Sequence, residues 1–368
     1  MKPATRNSQL ATGHGSLPLP AYLPDATRGV VRGVDSRDLV ACGVPGLMVN
    51  ALHLSRNPGA GLIKAAGGLH RFMGWDRPIA SDSGGFQLLS MIRANPRYGS
   101  VSARGIHLVD LDRHHQRTLF TPEKSIRIQF DLGADLMICL DDCPRPEATP
   151  AENAASVERT IAWARRCRAE FDRLLATRGH QFPVRPRLFA VIQGGYDPAE
   201  RARCAEGLLP LGFDGYGFGG WPLRPEGDLA EDILGLTAEL VPADLPRFAL
   251  GVGRPENIVR GWQLGWQIFD CVLPTRDARR GRLYVFTDPA TPNVLAPDFY
   301  HFLYVRDARH KRQDQPIAPG CDCPTCQHFP LAYLHHLFDI SDPLAIRLAT
   351  IHNLRFYTRL LERIANSE

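Results

Sequence analysis

Short apolar runs recur along the 368-residue chain, at 46–49, 78–80, 136–140, 188–192, 216–218, 248–250 and 267–269. They lack the strict two-residue alternation of a half-wetted sheet, so they read as strands buried on both faces, as in parallel sheets. The stretches 150–175, 197–209 and 228–240 between some of these runs are predicted helical. Roughly one strand per 30 to 50 residues, with helices between, predicts repeated βα units closing into a (β/α)8 barrel. A doubly wound sheet is the competing architecture. No Gly-x-Gly-x-x-Gly comes after a first strand and no Walker-type loop is found, so nucleotide-cofactor readings lose weight.

The residues just past each run carry the chemistry. Asp82 comes after the second run, Asp141-Asp142-Cys143 after the third, Gln193-Gly194-Gly195 after the fourth, Gly219-Gly220 after the fifth, Gly251-Val252-Gly253 after the sixth and Asp270 after the seventh. Any one of these is ordinarily a turn glycine or a capping aspartate. Together they place polar and backbone-exposing residues on one rim, where barrels of this kind hold their active sites. Asp82 and Asp270 form a pair of acids suited to attack at a sugar carbon. One carboxylate can bond covalently to the sugar while the other moves the proton of the leaving or entering group.

Composition changes this picture little: 44% hydrophobic and 22% charged residues are ordinary for a globular chain with a sizeable core. The net charge of +4 permits a polyanionic partner without requiring one. The N-terminal residues do not lead into a signal-type apolar segment, and no apolar stretch approaches the roughly 18 residues of a membrane span. A cytoplasmic protein, with no membrane association, is expected. Of nine cysteines, six are scattered, and Cys321, Cys323 and Cys326 are packed at Cys-x-Cys-x2-Cys spacing. Three thiolates so placed ask for a fourth ligand to complete a tetrahedral structural zinc site, and His328, His335, His336 and His352 are candidates.

At the level of longer motifs the chain resembles the tRNA-guanine transglycosylases, also called queuine tRNA-ribosyltransferases. The resemblance is carried by Asp82-Ser83-Gly84-Gly85-Phe86-Gln87, Leu119-Phe120-Thr121-Pro122-Glu123-Lys124-Ser125, Gly212-Phe213-Asp214-Gly215-Tyr216 and Gly251-Val252-Gly253-Arg254-Pro255. Phe269-Asp270-Cys271-Val272-Leu273-Pro274-Thr275-Arg276 and the cysteine cluster complete it, so that it runs from about residue 14 to 364. It implies a (β/α)8 barrel over 14–300, an N-terminal tail over 1–13, and a zinc-binding subdomain with a C-terminal helix over 301–368. It implies further that Asp270 is the nucleophile on ribose C1′ of a guanosine in the tRNA anticodon loop, and that Asp82 takes the N9 proton of the entering 7-deazaguanine base. Ser83, Gly84, Gly85, Phe86, Asp141, Gln193, Gly220 and Leu250 would form the base site. Asp141 would accept from N1 and the 2-amino group, Gln193 and the Gly220 backbone would donate to the 6-oxo group, and Phe86 and Leu250 would sandwich the ring. Gly251, Arg254, Thr275, Arg276 and Arg279 lie in segments that contact the anticodon loop in the family, and Arg306, Arg309, Lys311 and Arg312 add a basic stretch beside the cysteines. The family pattern picks His352 as the fourth zinc ligand and implies a homodimer.

Two departures stand out. The usual N-terminal hairpin ahead of His14-Gly15 is expected to be missing. After Gly220 the chain reads Trp221-Pro222-Leu223-Arg224-Pro225-Glu226, where bacterial relatives usually carry a small glycine-rich loop with an acid. The identity of the entering base and the choice of tRNA over DNA as acceptor both bear on that loop. A catalytically silent RNA-binding partner subunit is a second reading and a glycoside hydrolase on the same barrel a third. The joint presence of Asp82, Asp141 and Asp270 weighs against the second, and the cysteine cluster with the long motifs against the third.

Overall fold

A computed structural model of the protein describes residues 9–110, 116–288 and 293–367. Residues 1–8 of the expected tail and Glu368 at the other end lie outside them. Eight strands, β1 (Ala21–Pro24), β2 (Leu47–Asn50), β3 (Ile79–Asp82), β4 (Leu136–Ile138), β5 (Arg187–Ile192), β6 (Gly215–Phe218), β7 (Arg247–Ala249) and β8 (Ile268–Cys271), form one sheet. All neighbours run parallel, and β1 pairs with β8. A parallel bridge from Asp25 to Met48, just past β1, brings the two ends of the sheet together. This is the expected (β/α)8 barrel.

Seven of the strands coincide with the apolar runs; β1 does not. Its four residues are buried throughout, but Pro18, Pro20 and Pro24 punctuate the segment and break up the apolar signal. The barrel interior is filled by Leu23, Met48, Ala80, Ile138, Phe189, Val191, Phe248 and Ile268, while a larger apolar layer lies between strands and helices. Of the expected helices, the first spans Pro150–Arg178, opened by a Thr149/Glu152 capping box and Pro150 in its first turn. The second spans Pro198–Leu208 behind the Asp197 cap. The third starts later than the pattern implies, at Glu231, because the residues before it close a loop: Leu223 bridges to Leu229, and Ala230 N–H donates to the Pro222 carbonyl.

The expectation that an N-terminal hairpin is missing is overturned. Gln9–Thr12 and Gly15–Pro18 pair antiparallel, with Leu10 opposite Leu17, and both leucines enter the apolar cluster of the barrel interior. The hairpin turns through Gly13 and His14 themselves, with Gly15 at φ +92°, so His14-Gly15 lies inside the hairpin and does not come after it. Four-residue strands with one buried leucine each leave little periodic trace. His14 Nδ1 lies 2.9 Å from Asp135 Oδ1, tying the turn to the foot of β4.

A three-stranded antiparallel sheet, Gly99–Ser102, Gly105–Asp110 and Gln116–Phe120, is inserted between β3 and β4. After β8 come the helix Leu273–Ala278, a hairpin of Arg282–Phe286 with Tyr300–Tyr304, and the helices Pro324–His328, Leu331–Asp339 and Pro343–Asn366. The last helix is bonded into the barrel: Tyr357 Oη donates to the Gly253 carbonyl at 2.6 Å, and Asn353 Nδ2 donates to the Pro274 and Arg282 carbonyls. Among the described residues no helix is long and apolar enough to cross a membrane.

Candidate active site and metal centre

The strand ends surround a cavity of about 450 Å³. Asp82, Ser83, Gly84, Phe86, Asp141, Gln193, Gly220, Leu250, Gly251 and Asp270, all singled out from sequence, line it. Each acid sits there for a local reason. Asp82 ends β3, and the chain then turns through Gly84 at φ +79° into the helix Gly85–Ala94. A Cβ on Gly84 would come within 2.6 Å of Leu52 Cβ, so only glycine lets this turn pack. The turn aims the Gly84 N–H at Asp82 Oδ1, 2.9 Å away, and Asn50 Nδ2 donates to Oδ2, also at 2.9 Å. Asn50 is itself fixed, because its Oδ1 caps the helix after β2 through the His53 N–H. Nothing in the sequence pattern marked Asn50 except its place directly after the run 46–49.

Asp270 lies in β8 and accepts from the Gly251 N–H at 3.0 Å. Burial pushes Asp82 and Asp270 alike up to about 7, against the lowering effect of these hydrogen bonds; the Asp270 charge raises Asp82 further, and Asp25 raises Asp270. The carboxyls of β3 and β8 are thereby held near neutrality, where each can be either charged or protonated at working pH. Asp141 is pushed up to about 6, again by burial, with Gln193 Nε2 donating to its Oδ2 at 2.6 Å. Asp142, its sequence neighbour, turns away from the cavity and pairs with Arg93 and Arg159, each at 2.6 Å.

Several lining residues were not anticipated as site residues: Met48, Gln87, Cys143, Phe218 and Trp221. The buried Oε1 atoms of Gln87 and Gln193 have no partner within the protein, so the cavity wall carries unmet polar capacity of the kind that fixes a polar ligand. Behind Gln193 the fully buried Arg201 donates to the Ile192 and Gly195 carbonyls and lies over the Phe218 ring, 4.2 Å from its centroid. It locks the turn that presents Gln193. Gly85 lies off the cavity lining, its Cα facing Leu140, where a Cβ would stand 2.5 Å from Cδ1.

Of the residues expected near RNA, Arg254 is exposed at the start of the helix Pro255–Gln263, and Arg276 and Arg279 are half-buried, with Arg276 Nε 3.9 Å from Asp277 Oδ1 and the buried Arg279 Nη1 without a hydrogen-bond partner. Thr275 is buried, and its hydroxyl donates to the Val272 carbonyl within its own helix turn. Arg306, Arg309, Lys311 and Arg312 are exposed.

Away from the cavity, Cys321, Cys323, Cys326 and His352 converge, all buried. His352 Nδ1 lies 3.8, 3.7 and 3.3 Å from the three sulfurs. A tetrahedral ion with metal–sulfur bonds of about 2.3 Å and a metal–nitrogen bond of about 2.0 Å needs S···N edges of roughly 3.5 Å, so the four side chains fit one. His352 Nε2 lies 2.8 Å from the Tyr284 carbonyl, an outer contact that orients a ligating imidazole. His335 is outside the cluster, beside Asp339.

Fold and site together define a (β/α)8-barrel enzyme with paired carboxylates at the strand ends and a separate buried Cys3His cluster that could hold a metal ion. The family model described as queuine tRNA-ribosyltransferase matches residues 2–367. Proteins named queuine tRNA-ribosyltransferase are 37% identical over 363 residues in Psychrobacter cryohalolentis (98% of this chain, 89% of the relative) and 39% over 352 residues in Mannheimia succiniciproducens (96% and 86%). One from Dehalococcoides mccartyi is 39% identical over 365 residues (98% and 85%). The chain belongs to the queuine tRNA-ribosyltransferase family.

Proposed function

We propose that the protein is a tRNA-guanine transglycosylase, exchanging a guanine of the anticodon loop for a 7-deazaguanine base. The observation that carries the reading is the placement of Asp82 and Asp270 in one cavity, each held near neutrality by burial. The ionised Asp270 carboxylate attacks C1′, the C1′–N9 bond breaks, and guanine departs with a proton at N9, leaving a ribosyl ester on Asp270. The entering base then gives its N9 proton to Asp82 and attacks C1′ from the face guanine left. The ester bond breaks, the Asp270 carboxylate is restored, and two inversions keep the β configuration. With a pKa of about 7, Asp82 is suited both to give a proton to the departing base and to take one from the entering base.

Asp141 and Gln193 serve base recognition: their mutual hydrogen bond fixes both side chains, and the free Gln193 Oε1 leaves polar capacity in the cavity. The Arg279 Nη1 that lacks a hydrogen-bond partner supports a phosphate role, with Arg276, Arg254, and Gly251 at the cavity, assigned to the same RNA-facing set. Thr275 serves by holding its turn. Zinc is the metal that best suits three thiolates and one imidazole; with all four positions filled it holds structure and takes no part in the chemistry. The resemblance implies a homodimer, and an enzyme acting on tRNA is expected in the cytoplasm. Asp82, Asp141 and Asp270 all being present supports a catalytic chain over a silent subunit.

The entering base is read from the loop after Gly220. Tyr196 Oη donates to the Leu223 carbonyl at 2.6 Å, Arg224 grips both oxygens of Asp232 at 2.8 Å, and Pro222 and Pro225 fix φ. A loop so tied leaves little room for a bulky 7-substituent, which favours aminomethyl- or cyano-deazaguanine over queuine. An unpaired loop base is also extruded at lower cost than a duplex base, which favours tRNA over DNA. The test offers labelled guanine, then each deazaguanine in competition, with unmodified tRNA and duplex DNA together. Label in tRNA, displaced fastest by the small bases, is expected. Faster incorporation of queuine would refute the loop argument, and label in DNA would overturn the acceptor.

A further inference from the structure

Among the described residues, Phe86 and Trp221 are the exposed aromatic side chains that line the cavity, at 44% and 40% exposure. Their ring centroids stand 5.7 Å apart and their planes are tilted by 59°. Two rings that sandwich one base must be parallel and roughly 7 Å apart, twice the stacking separation of neighbouring bases. At this tilt Phe86 and Trp221 cannot share a base.

Trp221 is also not a loose surface side chain. Its indole N–H donates to the Pro144 carbonyl at 3.1 Å, Pro222 comes next in the chain, and the Tyr196 and Arg224 contacts hold the loop beyond. A large apolar face is thereby kept rigid and open to water at the cavity mouth. Such a face loses little conformational entropy when a flat partner settles on it.

We infer that Trp221 is a positioning residue that stacks on the nucleobase next to the one being exchanged. The inference rests on the RNA-exchange reading above. Drawing one nucleotide into a closed cavity unstacks its neighbours, and an aromatic face at the rim restores to one of them the stacking it has lost. Phe86 faces the exchanged base and Trp221 the adjacent one.

The test is a double-mutant cycle on affinity for a fluorescently labelled anticodon stem-loop RNA, using Trp221→Leu, Trp221→Phe and RNAs carrying an abasic site on one or the other side of the target guanosine. Trp221→Leu keeps apolar bulk in the loop but removes the stacking face. It should weaken binding of intact RNA roughly 5- to 150-fold, and lose most of that penalty on one of the two abasic RNAs, whereas Trp221→Phe should stay close to wild type on intact RNA. Equal penalties for Trp221→Leu on intact and both abasic RNAs, or an affinity within two-fold of wild type on intact RNA, would overturn the inference. Exchange of labelled guanine by the wild-type protein, measured in parallel, separates the two claims: its absence condemns the RNA-exchange reading, while exchange without coupling condemns only the role of Trp221.

Discussion

In the proposed mechanism Asp270 attacks only as an anion, yet burial raises its pKa to about 7. The rate of ester formation on a saturating stem-loop RNA should therefore be bell-shaped, highest near pH 7 where Asp270 is charged while Asp82 still holds its proton, and roughly three-fold lower at pH 6 and at pH 8. A rate that does not change between pH 5.5 and 8 would remove Asp270 ionisation from the mechanism. The same shift has a consequence for stability. Asp270 binds its proton more tightly folded than unfolded, so the folded state holds more protons between about pH 4 and pH 7, and stability falls as pH rises through that window. Asp270→Asn abolishes the cost of the buried charge. It should raise the melting temperature by roughly 2–5 °C at pH 8 and change it little at pH 4, as scanning calorimetry at both pH values can establish. A variant less stable than wild type at pH 8 would show that the carboxylate is satisfied in place.

The Cys3His cluster joins a six-residue segment to one turn of the helix Pro343–Asn366, so a metal bound there would couple to folding. Cys323→Ser and His352→Ala should each lose zinc, measured by elemental analysis, and lower the melting temperature by roughly 5 °C or more. His335→Ala should keep one zinc per chain, since that ring sits against Asp339; zinc loss in His335→Ala and retention in His352→Ala would reverse the assignment. The cysteines of this centre were legible because their spacing is chemistry written locally, but the fourth ligand lies 26 residues beyond Cys326 and was chosen among four histidines only by resemblance. The barrel strands were legible in the same local way, as continuous apolar runs. β1 escaped because prolines flank it, and the hairpin Gln9–Pro18 because its buried residues are one per strand. Asn50 and Arg201 escaped for a different reason: each acts through a partner distant in sequence or through backbone carbonyls, and no spacing rule encodes such contacts.

Over the whole molecule the barrel brings strand ends nearly 190 residues apart in sequence to one cavity, and the C-terminal helix that carries His352 of the Cys3His cluster is hydrogen-bonded to the wall that carries Asp270. The helix reaches that wall through Tyr357 on Gly253 and Asn353 on Pro274, so loss of the metal should disturb the site by way of these contacts. One covalent bond between protein and RNA decides the mechanism. Wild-type protein incubated with an anticodon stem-loop RNA, denatured and weighed by intact mass spectrometry should show a species equal to protein plus RNA minus guanine. Proteolysis should place the ribosyl ester on Asp270, and Asp270→Asn should yield no adduct while still binding the RNA. An adduct that survives in Asp270→Asn, or that maps to another residue, would contradict the mechanism.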